Sequence, residues 1–330
     1  MKTICAFSSD SRSLYKADIY RALSLPHKSV IHFRYKTKYV SSDLLISPVS
    51  LEGKKVAIFF TRTDKTDPSK NKYENISVRW ASISSVEMSK NTDVFHVYMK
   101  LEDFCNLSIS DNTALNQPPE KFLSFLECKI EQGNNNWQSR INALKDYLPP
   151  IMYFHVKNIK SHWNTPIKLK TSGNSRSFYY KLTHGEKYTL QLAIANPHST
   201  ESKIELSDGT GEVVINCTTP LECSAQFDDI EIPIFVKSLQ VSKQASFLKF
   251  NPIKDGEELG EYASSIELEL KLSTCRSILF GLCSVLVVAA ILLASPTPAT
   301  AKMPAWWMYL LSGIVLWAGS GAMFHWFNKK

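Results

Sequence analysis

The end of the chain constrains everything before it. Residues 277–295 read SILFGLCSVLVVAAILLAS, about nineteen residues without a charge, enough at roughly 1.5 Å per residue to reach across a bilayer core. Pro296, Pro298 and Pro304 interrupt a connector whose one charge is Lys302, and a second apolar run at residues 305–327 ends in Asn328, Lys329 and Lys330. These runs predict two spans forming a transmembrane hairpin. Neither has an Asp, Glu, Lys or Arg in its interior, which argues against an ion path or proton relay. Trp306, Trp307 and Tyr309 near one end of the second span, and Trp326 and Phe327 at the other, match interfacial aromatic belts.

Small residues recur along both spans. Ala290 with Ala294 and Ala318 with Ala322 are four apart, and Gly313 and Gly319 lie nearby, so helices can approach closely there. The expectation is packing within one hairpin, with packing between copies as the route to a homo-oligomer. Lys271, Arg276, Lys329 and Lys330 flank the hairpin on one side. By the positive-inside rule, both termini and the body face the cytoplasm, at the inner membrane if the source is bacterial. The first residues carry no apolar core of signal-peptide length, in keeping with that orientation. Seven scattered cysteines without a CxxC pair fit a reducing compartment.

Charge is unevenly spread. Residues 1–150 carry 21 Lys/Arg against 16 Asp/Glu, whereas residues 151–272 carry 13 against 15. The basic excess concentrates in residues 27–40, HKSVIHFRYKTKYV. At strand periodicity, Phe33, Tyr35, Thr37 and Tyr39 share one face, and His32, Arg34, Lys36 and Lys38 share the other. Lys28, His32, Arg34, Lys36 and Lys38 are therefore candidate contacts for an anionic partner, a small ligand or a nucleic-acid backbone. The alternative is a strand that buries its aromatics and solvates its bases.

The patterning predicts a mainly β chain with some α in four parts. Residues 1–105 read as a basic α+β or small barrel-like domain, with a helix at 11–25 and strands at 55–61, 75–85 and 93–101. Residues 106–150 read as a helical linker. Its first helix opens near Pro119 and carries Phe122, Leu123, Phe125, Leu126 and Ile130, and its second, at 137–148, follows the Asn134–Asn136 cap. In residues 151–272, nine β-prone runs recur with turn signals such as Asp208-Gly209-Thr210-Gly211, predicting an immunoglobulin-like β-sandwich. Residues 273–330 complete the chain as linker and hairpin.

No phosphate-loop, dinucleotide-binding, zinc-protease or nucleophile-elbow motif occurs. Asp228, Asp229 and Glu231 are the nearest approach to a cation cluster, and acidic turns are ordinarily solvated. No catalytic residue, cofactor or metal is expected, and the chain reads as a non-enzyme. The sequence points to a membrane-anchored sensor or effector whose body binds a partner protein or anionic ligand and couples it to the hairpin. Some prokaryotic defence effectors that perturb membranes share this general plan. The alternative is a passive scaffold that recruits a soluble protein to the bilayer.

Overall fold

The computed structural model describes residues 1–64, 72–89, 91–110, 120–174, 176–223, 225–237, 244–254, 257–258 and 265–273, with Gly281 and Val285 besides. It is mainly β, with few helices and several sheets. The first part runs β1 (Lys2–Ser9), α1 (Ser13–Ser24), β2 (Val30–Lys36), α2 (Ser42–Ile46), β3 (Lys55–Asp64), β4 (Lys72–Ser89), β5 (Val94–Phe104), β6 (Leu107–Ile109), β7 (Leu123–Ile130) and α3 (Trp137–Leu144). Its seven strands form one sheet in the order β2-β5-β4-β3-β1-β7-β6. Strict alternation drives β5, where Phe95, Val97, Met99 and Leu101 are buried. Beyond β2 the chain curls back to the far side of the sheet. Val40 bridges to Leu123, and the Ser41 N–H donates to the Leu123 carbonyl at 2.9 Å.

Two elements depart from expectation. The stretch after Pro119, expected as a helix, forms strand β7 from Leu123, so among the described residues the linker has one helix rather than a pair. Its apolar spacing fits a helical stripe, but β7 lies between β1 and β6 and its backbone groups enter those ladders. Leu123 and Cys128 face the interior while Glu127 and Lys129 stay exposed. The second departure is β1, whose KTICAFSS segment pairs parallel to β3 at the heart of the sheet. The second linker helix forms as expected: Asn136 caps α3 by accepting from the Ser139 N–H at 2.9 Å, and Trp137, Ile141 and Leu144 are buried.

The remaining strands are β8 (Tyr153–Ser161), β9 (Leu169–Thr171), β10 (Phe178–Thr183), β11 (Lys187–Ala195), β12 (Lys203–Asp208), β13 (Val213–Ile215), β14 (Phe227–Val236), β15 (Gln244–Lys254), β16 (Glu257–Glu258) and β17 (Ile266–Ser273). One sheet runs β12-β15-β17-β10-β9 with β16 on β15, and the other β13-β14-β11-β8. Together they make a sandwich-like body. In β17, Ile266, Leu268, Leu270 and Leu272 point inward and Glu267 and Lys271 outward. Apart from Gly281 and Val285, the predicted spans, with Ala290, Ala294, Gly313, Ala318, Gly319 and Ala322, lie outside the described residues. Among the described residues, no helix is long and apolar enough to cross a membrane.

Helix α1 joins the sheets into one buried cluster. Tyr20 packs on Tyr153 and Phe154, at 5.6 and 6.0 Å between ring centroids, and donates its hydroxyl to the Met152 carbonyl at 3.1 Å. Phe154 stacks in turn on Phe250 at 4.7 Å. The C-terminal end of α1 is closed by Arg79 from β4, which is 1% exposed. Its Nη1 donates to the carbonyls of Ala22 at 3.0 Å and Leu25 at 2.7 Å, and its Nε to that of Glu102 at 2.6 Å. The guanidinium lies 4.4 Å over Phe104. Burial pulls its pKa down to about 9, so it remains charged at neutral pH. Removing it strands helix-end carbonyls away from water. Arg79→Met is therefore expected to lower unfolding free energy by about 3 kcal/mol in urea titration, and Arg79→Lys to recover only part of that loss.

Candidate functional site

β1 delivers the chain into Asp10, Ser11 and Arg12, and α1 starts at once. Arg12 occupies the N-cap position in an extended conformation, no side chain caps the helix, and its first turn holds no acid. Its leading N–H groups and positive dipole end therefore lack a side-chain counterpart. Beside this end lies β2, whose one sheet partner among the described residues is β5. Between them opens a cleft of about 230 Å³. Both faces of β2 contribute to it, Phe33 and Tyr35 from the buried one and Arg34 and Lys36 from the exposed one. The turn after β2 adds Lys38 and Tyr39, and the β1–α1 connection adds Ser9, Ser11 and Arg12.

Four cations from three segments thus surround one cleft. Arg12, Arg34, Lys36 and Lys38 are all exposed, and none forms an ion pair with a described residue. Lys38 lies 4.9 Å over the Tyr39 ring, and Arg12 5.8 Å from that of Tyr15. Tyr39 meets Phe122 edge-on at 5.5 Å. The Tyr35 hydroxyl donates to the Phe7 carbonyl at 3.0 Å, pinning β2 to β1 across the cleft floor. Ser9 and Ser11 share a hydroxyl hydrogen bond of 2.7 Å. Cations, hydroxyls and open helix N–H groups are the chemistry that recognises phosphate or carboxylate oxygens.

One acid is among the residues lining the cleft. Asp18, one turn into α1, has its pKa pushed up to about 6 by burial, against the lowering influence of Arg21 and Arg34. Near neutral pH its charge opposes a bound anion, and protonation removes that opposition.

The structure gathers three of the five residues singled out in the basic strand. Arg34, Lys36 and Lys38 line the cleft, while Lys28 and His32 do not. Lys28 sits at the opposite end of β2 with φ of 74°, its N–H bound to the Leu101 carbonyl at 2.8 Å. His32 stacks on Tyr98 at 4.5 Å between centroids and bonds His96 at 3.0 Å. Burial, then the neighbouring His96, Arg34 and Arg176, lower its pKa to about 4, leaving it neutral. Sequence reasoning missed Arg12, Ser9, Ser11 and Asp18. Their signal was a serine-rich turn between an apolar strand and a helix.

Elsewhere, Asp229 pairs with Lys157 at 2.7 Å and Glu231 accepts from Gln191. Among the described residues, no three His, Cys, Asp or Glu side chains group as metal ligands. The buried thiols of Cys5 and Cys128 approach to 3.6 Å as free cysteines.

No family model matches this sequence, and no curated protein matches it. Among solved structures, the chain is similar to domains 4 and 5 of the S-layer protein SbsC, at 6% identity with a TM-score of 0.20. The match covers 36% of this chain and 55% of that one, so it spans about half of the solved chain, and at that score it carries no argument.

Asp18 supplies a pH test. Its folded pKa of about 6 lies above its ordinary 3.8. Its favourable contribution is thus complete below about pH 4 and lost as pH rises through 6. Asp18→Asn should match wild-type stability near pH 4 and exceed it by on the order of 1 kcal/mol at pH 7.5, measured by denaturant titration at both pH values.

Proposed function

We propose that this chain is a membrane-tethered sensor or effector whose β-rich body binds a small anionic ligand in the cleft between α1 and β2. The observation that carries the reading is the convergence of Arg12, Arg34, Lys36 and Lys38 on one cleft, with no ion-pair partner among the described residues. Surface cations solvated singly have no reason to converge around an uncapped helix start. The cleft's aromatic rings and hydroxyls favour a compact phosphate- or carboxylate-bearing molecule. A long nucleic-acid backbone would call for an extended basic track. The tether is the two-span hairpin of residues 277–295 and 305–327, with the body on the cytoplasmic side and close packing of small residues within or between hairpins.

Coupling is the second half of the proposal. α1 has its first turn in the cleft and its last turn held by Arg79, with Tyr20 between them bonded to the chain entering β8. A ligand that shifts α1 therefore acts directly on the second body. β17 pairs with β10 as far as Ser273, three residues before Arg276 and the first apolar run. In a defence-type effector, the output would be membrane perturbation. In the passive-scaffold alternative, the same body recruits a protein partner and sends no signal into the spans.

Full-length protein in detergent should bind at least one ligand among inorganic phosphate and a panel of nucleoside mono- and diphosphates, with affinity falling as salt rises. Replacing Arg34, Lys36 and Lys38 together with Ala should weaken that binding by about tenfold or more, roughly 1.4 kcal/mol, in titration calorimetry. Unchanged binding at low salt would return these bases to simple solvation. Inserting about ten flexible Gly/Ser residues after Ser273 should abolish ligand-dependent dye entry into vesicles while leaving ligand affinity unchanged. Dye entry that survives the insertion would rule out mechanical coupling.

A further inference from the structure

The sandwich-like body has two unlike ends. At one, it meets the first part of the chain: Arg176 pairs with Glu87 at 2.9 Å, and His198 bonds the Lys145 carbonyl at 2.8 Å. The opposite end gathers the turns after β8, β10 and β12 together with the last residues of β14 and Ser273. Ser161 pairs with Tyr188, Thr183 with Ser273, and Val213 with Val236. The His184 N–H donates to the Ser273 carbonyl at 3.0 Å, and the Gly185 N–H to that of Val236 at 2.9 Å. The chain leaves the described body from this end. Four residues later, at Ser277, the uncharged run begins.

The large apolar side chains that the body leaves exposed lie toward that exit end. Within residues 151–273, the large exposed apolar side chains among the described residues are Trp163, Val214 and Phe247. Trp163 is 77% exposed at the tip of the turn after β8. Val214 adjoins the Val213–Val236 pair, and the Phe247 carbonyl accepts from Gly209 in the turn after β12. Lys187 and Lys237 are exposed at the same end without ion-pair partners among the described residues. Glu186 is engaged by His162 at 3.8 Å. An exposed indole and two exposed lysines on the same end of the body, four residues before an apolar run begins, have the chemistry of a bilayer interface.

We infer that this end of the sandwich is a membrane-contact face, with the Trp163 indole at headgroup depth and Lys187 and Lys237 against anionic lipid. The inference rests on the proposed tether. It adds that the body is held against the leaflet by its own surface as well as by the covalent link.

The test uses full-length protein reconstituted in phosphatidylcholine vesicles with and without phosphatidylglycerol. A fluorescent amino acid replaces either Trp163 or, as a control in the first part of the chain, Ile46, which is 81% exposed. Lipids brominated near the headgroup should quench the probe at 163 and spare the one at 46. Lys187→Glu combined with Lys237→Glu should lessen quenching at 163 by about twofold in the anionic vesicles. Equal, weak quenching at both positions in a chain that resists alkaline extraction would overturn the contact face and leave the tether standing. A chain stripped by alkaline carbonate would overturn the tether and this inference with it. Shielding of 163 from aqueous iodide without quenching by brominated lipid would assign the face to a protein partner or second copy instead.

Discussion

Arg79 is the hinge on which the arrangement turns. Its guanidinium has essentially no contact with water, and its hydrogen bonds close the C-terminal end of α1 and tie the helix to β4 and β5. His155 of β8 lies against the Leu23 and Ser24 carbonyls at the same helix end, and burial keeps its pKa well below the usual imidazole value. A charged group from one sheet and a neutral imidazole from another thus share the carbonyls of one helix turn. Beside them, Tyr20 packs on Tyr153 and Phe154 and carries the buried apolar cluster across the two parts of the chain.

With one end of α1 fixed, the other is left for chemistry. The helix start carries no side-chain cap and no acid, and cations from β2 and the turn after it stand beside it. Opposite ends of one short helix therefore meet opposite requirements, a sealed terminus in the core and an open one at the cleft. Asp18 lies between them with a pKa of about 6, so the charge balance of the cleft changes within the physiological range. His32, which resembles a basic contact in sequence, is withdrawn into an aromatic stack instead.

Legibility varied with how local the information was. The β5 and β17 alternations and the Asn136 cap were plain because side-chain periodicity and helix capping act within a few residues. The apolar spacing of β7 fits a helical stripe, and the deciding interaction is pairing with β1, over a hundred residues away. β1 is a short buried strand and lacks the polar alternation that marks a half-exposed one. In the cleft, Arg34, Lys36 and Lys38 stood out as a run, whereas Arg12 lay in another segment with nothing to associate it with them.

The sequence by itself determined the β-rich character, the alternation of the sandwich strands and the two apolar runs, because composition and periodicity act through local hydrophobic burial. Only the tertiary structure decided which cations share a cleft, which end of α1 is sealed, and that Trp163 sits where the chain leaves the body. Each of those depends on strand order and on contacts between distant residues, and side-chain periodicity along one segment carries no record of either.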